Sequence, residues 1–524
     1  MDVEQDGQKA ERTRGSNRRW VIAAGAGIAA VAVAGGVVLA RSGAPGIAAP
    51  GTCRTTAHGT APVAAPAEND RAPAGTAPAA DFDGDGHPDL AMGALGDVEN
   101  ADAGGSIAVA YGSGRGTGLA RCQYLTQDDA AIPGKADYEA YFGSWVAARD
   151  LDGDGYTDLA TAVHDDEPGV IILWGSQDGL KSAARVPGTD GSHVSWAPDP
   201  GLEERLVAGD FDGDGHADLV FGLGSDKGLL KGPFSRDVSP RSTGPVSAPR
   251  KPAPDIGSAD YAGLVAGDLD GDGADELIAF HHDEPLGTAT FEERWPVSYF
   301  HERRGGLVQP GGIGLPDAAA GAVGDVDGDG VADLVLSPRR GKVSHSAVTV
   351  VHGSKSGPGK GKPSTTIDRD TPGVPGAEPR DDDAAFLSLD TGDVNGDGYA
   401  DVVAGSPRSE AYAKTGPEQV LLLLGGPGGL TGRGARVLDA GDLGGRKTER
   451  AAFGMSVRLV DMDGDHRDDL AVAAPGDDKV RSSAWVLPGT GHGLSTCGVT
   501  RLYGDGFERD GNLRLYMGGG GIAR

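Results

Sequence analysis

One alternation of apolar and acidic positions recurs seven times along the chain. The first copy reads Asp81-Phe82-Asp83-Gly84-Asp85-Gly86-His87-Pro88-Asp89, and it returns at 150–158, 210–218, 268–276, 325–333, 393–401 and 461–469. Successive starts lie 69, 60, 58, 57, 68 and 68 residues apart. The second position is always apolar: Phe82, Leu151, Phe211, Leu269, Val326, Val394, Met462. Each copy is followed by Leu or Val and a small apolar run such as Leu159-Ala160-Thr161-Ala162-Val163. Period-two patterning bounded by glycine predicts β-strands, with the acidic stretch as the hairpin between two of them. A third strand is expected at Val170 to Trp174 and at Val420 to Leu424, ending in a turn of the type Trp174-Gly175-Ser176. Tyr111-Gly112-Ser113, Leu223-Gly224-Ser225, His352-Gly353-Ser354 and Pro488-Gly489-Thr490 echo that turn. A fourth strand fits before the next repeat. Four strands in about 60 residues, repeated around a ring, predict an all-β, seven-bladed β-propeller.

Composition agrees: with 89 Gly, 33 Pro and 5% aromatic residues in 524, the chain is poorly suited to helices. The net charge of −30 argues against nucleic acid as a partner, since phosphate binding needs a basic footprint. The first, third, fifth and ninth positions of the seven copies carry 27 of the 77 acidic residues, and without them the charge falls to −3. Carboxylates converging in one tight turn repel unless a cation sits among them. A hard dication takes six to eight oxygens at about 2.3–2.6 Å, a number that these positions and the main-chain carbonyl of the seventh supply. Calcium fits better than magnesium. The absence of His and Cys from the side-chain ligand positions argues against zinc or copper. An EF-hand would need a Glu at the twelfth position, where the first copy has Met92.

The expected ligands are therefore Asp81, Asp83, Asp85, His87 and Asp89; Asp150, Asp152, Asp154, Tyr156 and Asp158; Asp210, Asp212, Asp214, His216 and Asp218; and Asp268, Asp270, Asp272, Ala274 and Glu276. Asp325, Asp327, Asp329, Val331 and Asp333, then Asp393, Asn395, Asp397, Tyr399 and Asp401, and finally Asp461, Asp463, Asp465, Arg467 and Asp469 complete the seven sites. Glu276 and Asn395 still offer oxygen. In the last copy His466 replaces the second glycine, where a left-handed backbone costs about 1–2 kcal/mol, so this site is expected to be the weakest or distorted.

Residues 1–19 are polar and end in Arg18-Arg19, ahead of an uncharged run from Trp20 to Ala40 that is long enough to span a bilayer as a helix. The arginines place the N-terminus in the cytoplasm and the remainder outside, with the run either a retained membrane anchor or a cleaved signal. Residues 41–79, rich in Ala, Pro, Gly and Thr, are expected to form a disordered linker. The propeller takes 80–505 and a tail 506–524. Cys53 pairs with Cys122 or Cys497 or stays free, and at most one bridge forms.

The order of a Phe-Gly pair, a strand, the acidic loop and a Gly-Ala-Pro-like stretch resembles the FG-GAP repeat of integrin α-subunit propellers and their bacterial relatives. It is clearest at Phe142-Gly143 before the second loop, and at Phe453-Gly454 with Ala473-Ala474-Pro475 around the seventh. The resemblance implies that the calcium hairpins lie on one face and that ligand-binding loops lie on the other. Those would include His164-Asp165-Asp166-Glu167-Pro168, His281-His282-Asp283-Glu284-Pro285, the stretch from Gly96 to Asp102, and Asp477-Asp478. No nucleophile elbow, zinc-protease motif or phosphate-binding loop is present, so the chain is read as a non-enzyme. Adhesion or ligand binding at the cell envelope, to a protein or polysaccharide, is the expected function. The alternatives are a lectin-like propeller, for which the scattered tryptophans Trp145, Trp174, Trp196, Trp295 and Trp485 offer little support, and a structural spacer.

Overall fold

The computed structural model describes residues 47, 49–53, 55–58, 80–95, 105–114, 119, 121–136, 140, 142–163, 169–186, 206–221, 228–236, 240–244, 246–247, 260–282, 295–339, 346–375, 386–406, 418–444, 452–474, 483–503 and 514–516. The chain divides into two units, Met1–Gly43 and Ala44–Arg524, and every described residue belongs to the second. The hydrophobic run 20–40 lies outside the described residues. Among those described, no helix is long and apolar enough to cross a membrane.

The strands form seven sheets, the blades of a β-propeller. Blade two shows the basic plan, with Val146–Arg149, Asp158–Val163, Gly169–Trp174 and Ser182–Arg185 paired antiparallel in chain order. Blades three, five and six repeat it from Leu206–Gly209, Ala318–Gly324 and Ser388–Gly392. In blade four Val246–Ser247 adds a parallel strand outside Gly306–Val308. The first strands of neighbouring blades lie against one another from blade two to blade seven, and so form the inner ring.

The core lies between blades. Leu159, Ile171 and Leu173 of blade two join a cluster with blade one, while Ala160, Ile172 and Trp174 join a cluster with blade three. Both faces of the sheet are therefore buried, and the strands are nearly continuous small apolar runs because two sheets must approach each of them. The second-position side chains, Phe82 through Met462, are at most 1% exposed. Phe142 and Phe453 of the Phe-Gly pairs are fully buried, and Phe453 meets Trp485 edge-on at 5.6 Å between ring centres. Gly143, at φ +81°, leaves no room for a side chain, because a Cβ would lie 2.3 Å from the Ser106 carbonyl of the preceding blade.

Three expectations are corrected. The linker expected over 41–79 contains two strands: Gly51–Thr52 pairs with Arg121–Thr126 of blade one, and Thr55–His58 pairs with Val499–Tyr503 of blade seven. The tail expected over 506–524 contains Arg514–Tyr516, which pairs with Leu90–Leu95 and takes the place of an inner first strand in blade one. Among the described residues, the distant end of the chain thus supplies the inner strand of blade one. In blade three the turn that ends the third strand follows Leu229–Lys231, at Gly232-Pro233, and not the expected Leu223-Gly224-Ser225, which lies outside the described residues. The open cysteine question is settled as well: Cys53 is bonded to Cys122, and Cys497 is free and exposed.

The Cys53–Cys122 bridge closes a 69-residue separation and ties the N-terminal segment to blade one. By loop-closure entropy it should contribute about 4 kcal/mol. We expect Cys53→Ser with Cys122→Ser to lower the denaturant midpoint of the full chain, whereas Cys497→Ser leaves it unchanged. Equal midpoints for wild type and the double variant would contradict the role of the bridge.

Candidate functional site

In blades two to seven the acidic loop joins the first and second strands, in blade one it leads into Leu90–Leu95, and each winds its backbone around its own carboxylates. In loop one Asp81 Oδ1 accepts the N–H groups of Gly84 at 2.7 Å and Asp85 at 3.2 Å, and Oδ2 accepts that of Gly86 at 2.9 Å. Asp85 Oδ1 accepts the His87 N–H at 2.9 Å. The same fan recurs around Asp150, Asp325 and Asp393. It requires left-handed backbone at the fourth and sixth positions, as at Gly84 and Gly86 with φ +67° and +88°. His466 adopts φ +64° at the sixth position of loop seven, and its N–H still reaches Asp461 Oδ2 at 2.9 Å. Loop seven keeps this bond, and the left-handed strain falls on His466 itself.

The ninth carboxylate has a structural duty beyond that of a ligand. Asp158 Oδ2 accepts the Leu151 N–H at 3.0 Å, and its Oδ1 accepts the Gly175 N–H at 2.8 Å from the turn after the third strand. Asp89, Asp333 and Asp401 make the same pair of bonds. For Asp218 and Asp469 the bond to the turn glycine is present. One side chain thus fixes both the start of the loop and the end of a strand. Burial and neighbouring carboxylates push these groups up, Asp89 and Asp158 to about 8, Asp218 to about 7 and Glu276 to about 9, with desolvation the largest cause.

Candidate donor atoms are brought together as expected in four loops: those of Asp81, Asp83 and Asp85; of Asp150, Asp152 and Asp158; of Asp210, Asp212 and Asp218; and of Asp268, Asp270 and Glu276, each set within 4.8 Å of one another. Asp212, Asp270, Asp327 and Asp463 each have a buried Oδ1 without a hydrogen-bond partner, as do Asp218 and Asp469 at Oδ2. Buried oxygens of this kind, at the third and ninth positions, are the atoms that a cation would satisfy, so the donor sets fit a metal ion. Basic side chains partly offset the charge. Arg121 Nη1 lies 2.6 Å from Asp83 Oδ2, Arg236 pairs with Asp152 and Asp154, and Lys231 Nζ, 7% exposed, lies 2.9 Å from Asp212 Oδ2. Lys362 bridges Asp327 and Asp329 at 2.6 and 2.7 Å.

Sequence reasoning missed His352. It follows the third strand of blade five, 19 residues after Asp333, and its Nδ1 lies 3.1 Å from Asp333 Oδ1 and 3.3 Å from Asp327 Oδ2. The expected side-chain ligands include no histidine, and in space His352 lies beside two of them. The signal lay in strand register: the residue after the third-strand partner of the tenth loop position faces the loop, and it is Tyr111, Trp174, Lys231, His301, His352, Leu424 or Pro488 in turn.

Seventh-position side chains, singled out only for their carbonyls, pack across blades. A Cβ on Gly84 would meet Tyr156 at 2.6 Å, one on Gly328 would meet Tyr399 at 2.5 Å, and one on Gly464 would meet His87 at 2.7 Å. The last contact joins loop seven to loop one. The Ser113 N–H also reaches the Met462 carbonyl at 3.1 Å, repeating bonds that Ser176 makes to Phe82 and Thr490 makes to Val394. The loops thus form one continuous belt.

Of the expected opposite-face loops, 164–168, 96–102, 283–285 and 477–478 lie outside the described residues. His281 and His282 are strand residues, and His281 is buried with Nε2 2.9 Å from Ser298 Oγ. Trp174, Trp295 and Trp485 are buried, each beneath an arginine: Arg236, Arg339 and Arg501 respectively.

Comparison with known proteins agrees with the geometry. A family model described as an FG-GAP-like repeat matches residues 150–221, and one described as an FG-GAP repeat matches 385–420 and 453–487. The chain is thus a seven-bladed β-propeller in which blades two, six and seven carry matches to FG-GAP-type repeats. It is similar to integrin alpha-PS2 of Drosophila melanogaster, at 29% identity over 229 residues, or 40% of this chain. The match covers 15% of that relative's length.

The raised ninth-position groups fix a pH dependence. An unfolded carboxylate titrates near 4, so between about pH 4 and 9 the folded metal-free chain holds protons that the unfolded chain has released. Stability should therefore fall as pH rises through that window. We expect the melting temperature in chelator to drop from pH 5 to pH 9 and the drop to shrink in calcium. A melting temperature that rises over this range in chelator would contradict the assignment.

Proposed function

We propose that the protein is an exported calcium-binding propeller that acts as a ligand-binding or adhesion module at the cell envelope, held to the membrane by residues 20–40 unless they are cleaved. The observation that carries the metal reading is the set of buried carboxylate oxygens without partners at the third and ninth positions of the loops. Calcium supplies positive charge and flexible oxygen coordination at these loops. The residues' own part is to hold the hairpin in shape and to keep neighbouring blades in register.

The adhesion reading draws on the FG-GAP match, on the likeness to an integrin alpha chain and on the export signal in the first 40 residues. The burial of Trp174, Trp295 and Trp485 counts against the lectin-like alternative, because a stacked sugar needs an open aromatic face. The reading assigns no catalytic residue. A binding screen of the full chain against envelope proteins and polysaccharides, with calcium and again with chelator, tests it. Binding to protein that is lost in chelator is expected, whereas binding only to a polysaccharide would replace adhesion with sugar recognition.

The loops should differ in strength. Asp152→Ala removes a buried third-position carboxylate and should lower calcium-bound stability by about 1–3 kcal/mol, whereas Asp465→Ala should cost less. His466→Gly relieves the left-handed strain and should stabilise the chain by about 1 kcal/mol. Thermal unfolding in calcium checks all three, and equal losses for Asp152→Ala and Asp465→Ala would contradict the ranking.

A further inference from the structure

We propose that blade five carries a mixed carboxylate–imidazole site, formed by Asp327, Asp333 and His352, that takes a borderline transition-metal dication such as zinc in preference to calcium. The inference rests on the reading that the acidic loops hold cations, and it assigns one of them a different metal class.

Donor atoms of the three residues lie within 4.8 Å of one another, and the side chains are 7%, 1% and 8% exposed. His352 Nδ1 stands 3.1 Å from one carboxylate oxygen and 3.3 Å from the other. A tetrahedral ion with bonds of about 2.0–2.1 Å separates its ligand atoms by about 3.3 Å, so these edges already have the length that zinc requires. Asp327 Oδ1 is buried and without a hydrogen-bond partner, while Asp327 Oδ2 accepts from Lys362 Nζ at 2.6 Å, an ammonium on a half-exposed side chain that a metal ion would displace. Asp333 keeps its bonds to the Val326 and Gly353 N–H groups, which hold it in place as a ligand.

The difference from the other blades lies in the donor atom. A neutral imidazole nitrogen suits zinc, cobalt or nickel, whereas calcium takes oxygen. At the same register position blade three places Lys231, whose ammonium already lies on Asp212 and offers no lone pair. Blade four has His301, yet its gathered donor set is Asp268, Asp270 and Glu276.

The test is equilibrium dialysis of the metal-stripped full chain against zinc in excess calcium, with bound metals counted, followed by the absorption spectrum of the cobalt-loaded chain. Wild type and His301→Gln should each retain one zinc ion, and His352→Gln and His352→Ala should lose it while keeping native circular dichroism. The cobalt spectrum should change only on substitution of His352. Displacement of zinc by calcium in the wild type, or equal retention by the His352 variants, would overturn the proposal. Calcium bound without zinc would sink this inference and leave the calcium reading intact. Zinc held through His352 without any calcium bound would do the reverse.

Discussion

A buried carboxylate closes each loop, and much of the architecture follows from holding it. Asp158 and its equivalents accept one N–H from the beginning of the loop and another from the turn beyond the third strand, so a single side chain spans three strands of its blade. That geometry draws the carboxylate out of water and into the field of the first- and third-position acids. The protein then holds several negative groups in a space from which solvent is largely excluded, an arrangement whose cost protons or cations relieve. The same constraint links fold and function, because the loops that define the blades are also the places where charge must be neutralised.

The blades are bound to each other more than to any common centre. Apolar side chains alternate between the two interfaces of each sheet, and each core cluster draws on adjacent blades. On the loop face the belt adds polar links, with the second-position carbonyl of one blade accepting a bond from the turn of the next. Such a ring is stable only if it closes. Here Arg514–Tyr516 enters blade one from the C-terminal side, while Gly51–Thr52 and Thr55–His58 lie along the outer edges of blades one and seven. The disulfide fastens the same seam.

The blade count and the hairpins could be read directly, because a nine-residue motif with glycine at fixed positions is a local code. Phe82 through Met462 were legible as core for the same reason. What escaped depended on partners remote in sequence. Thr55–His58 has the composition of a linker and becomes a strand only because blade seven offers it an edge. In blade three the turn after the third strand is set at Gly232 by a bond to Asp218, a partner that the Leu-Gly-Ser pattern did not reveal. His352 escaped because it stands beyond the loop in sequence, and only strand register brings it beside Asp327 and Asp333.

The account's central claim is that these loops are cation sites rather than acidic turns. A direct count of calcium bound to the metal-stripped full chain by equilibrium dialysis tests it. Several calcium ions per chain, up to seven, with fewer after Asp152→Ala, is the predicted result. No bound calcium at millimolar concentration, with stability unchanged between calcium and chelator, would contradict it.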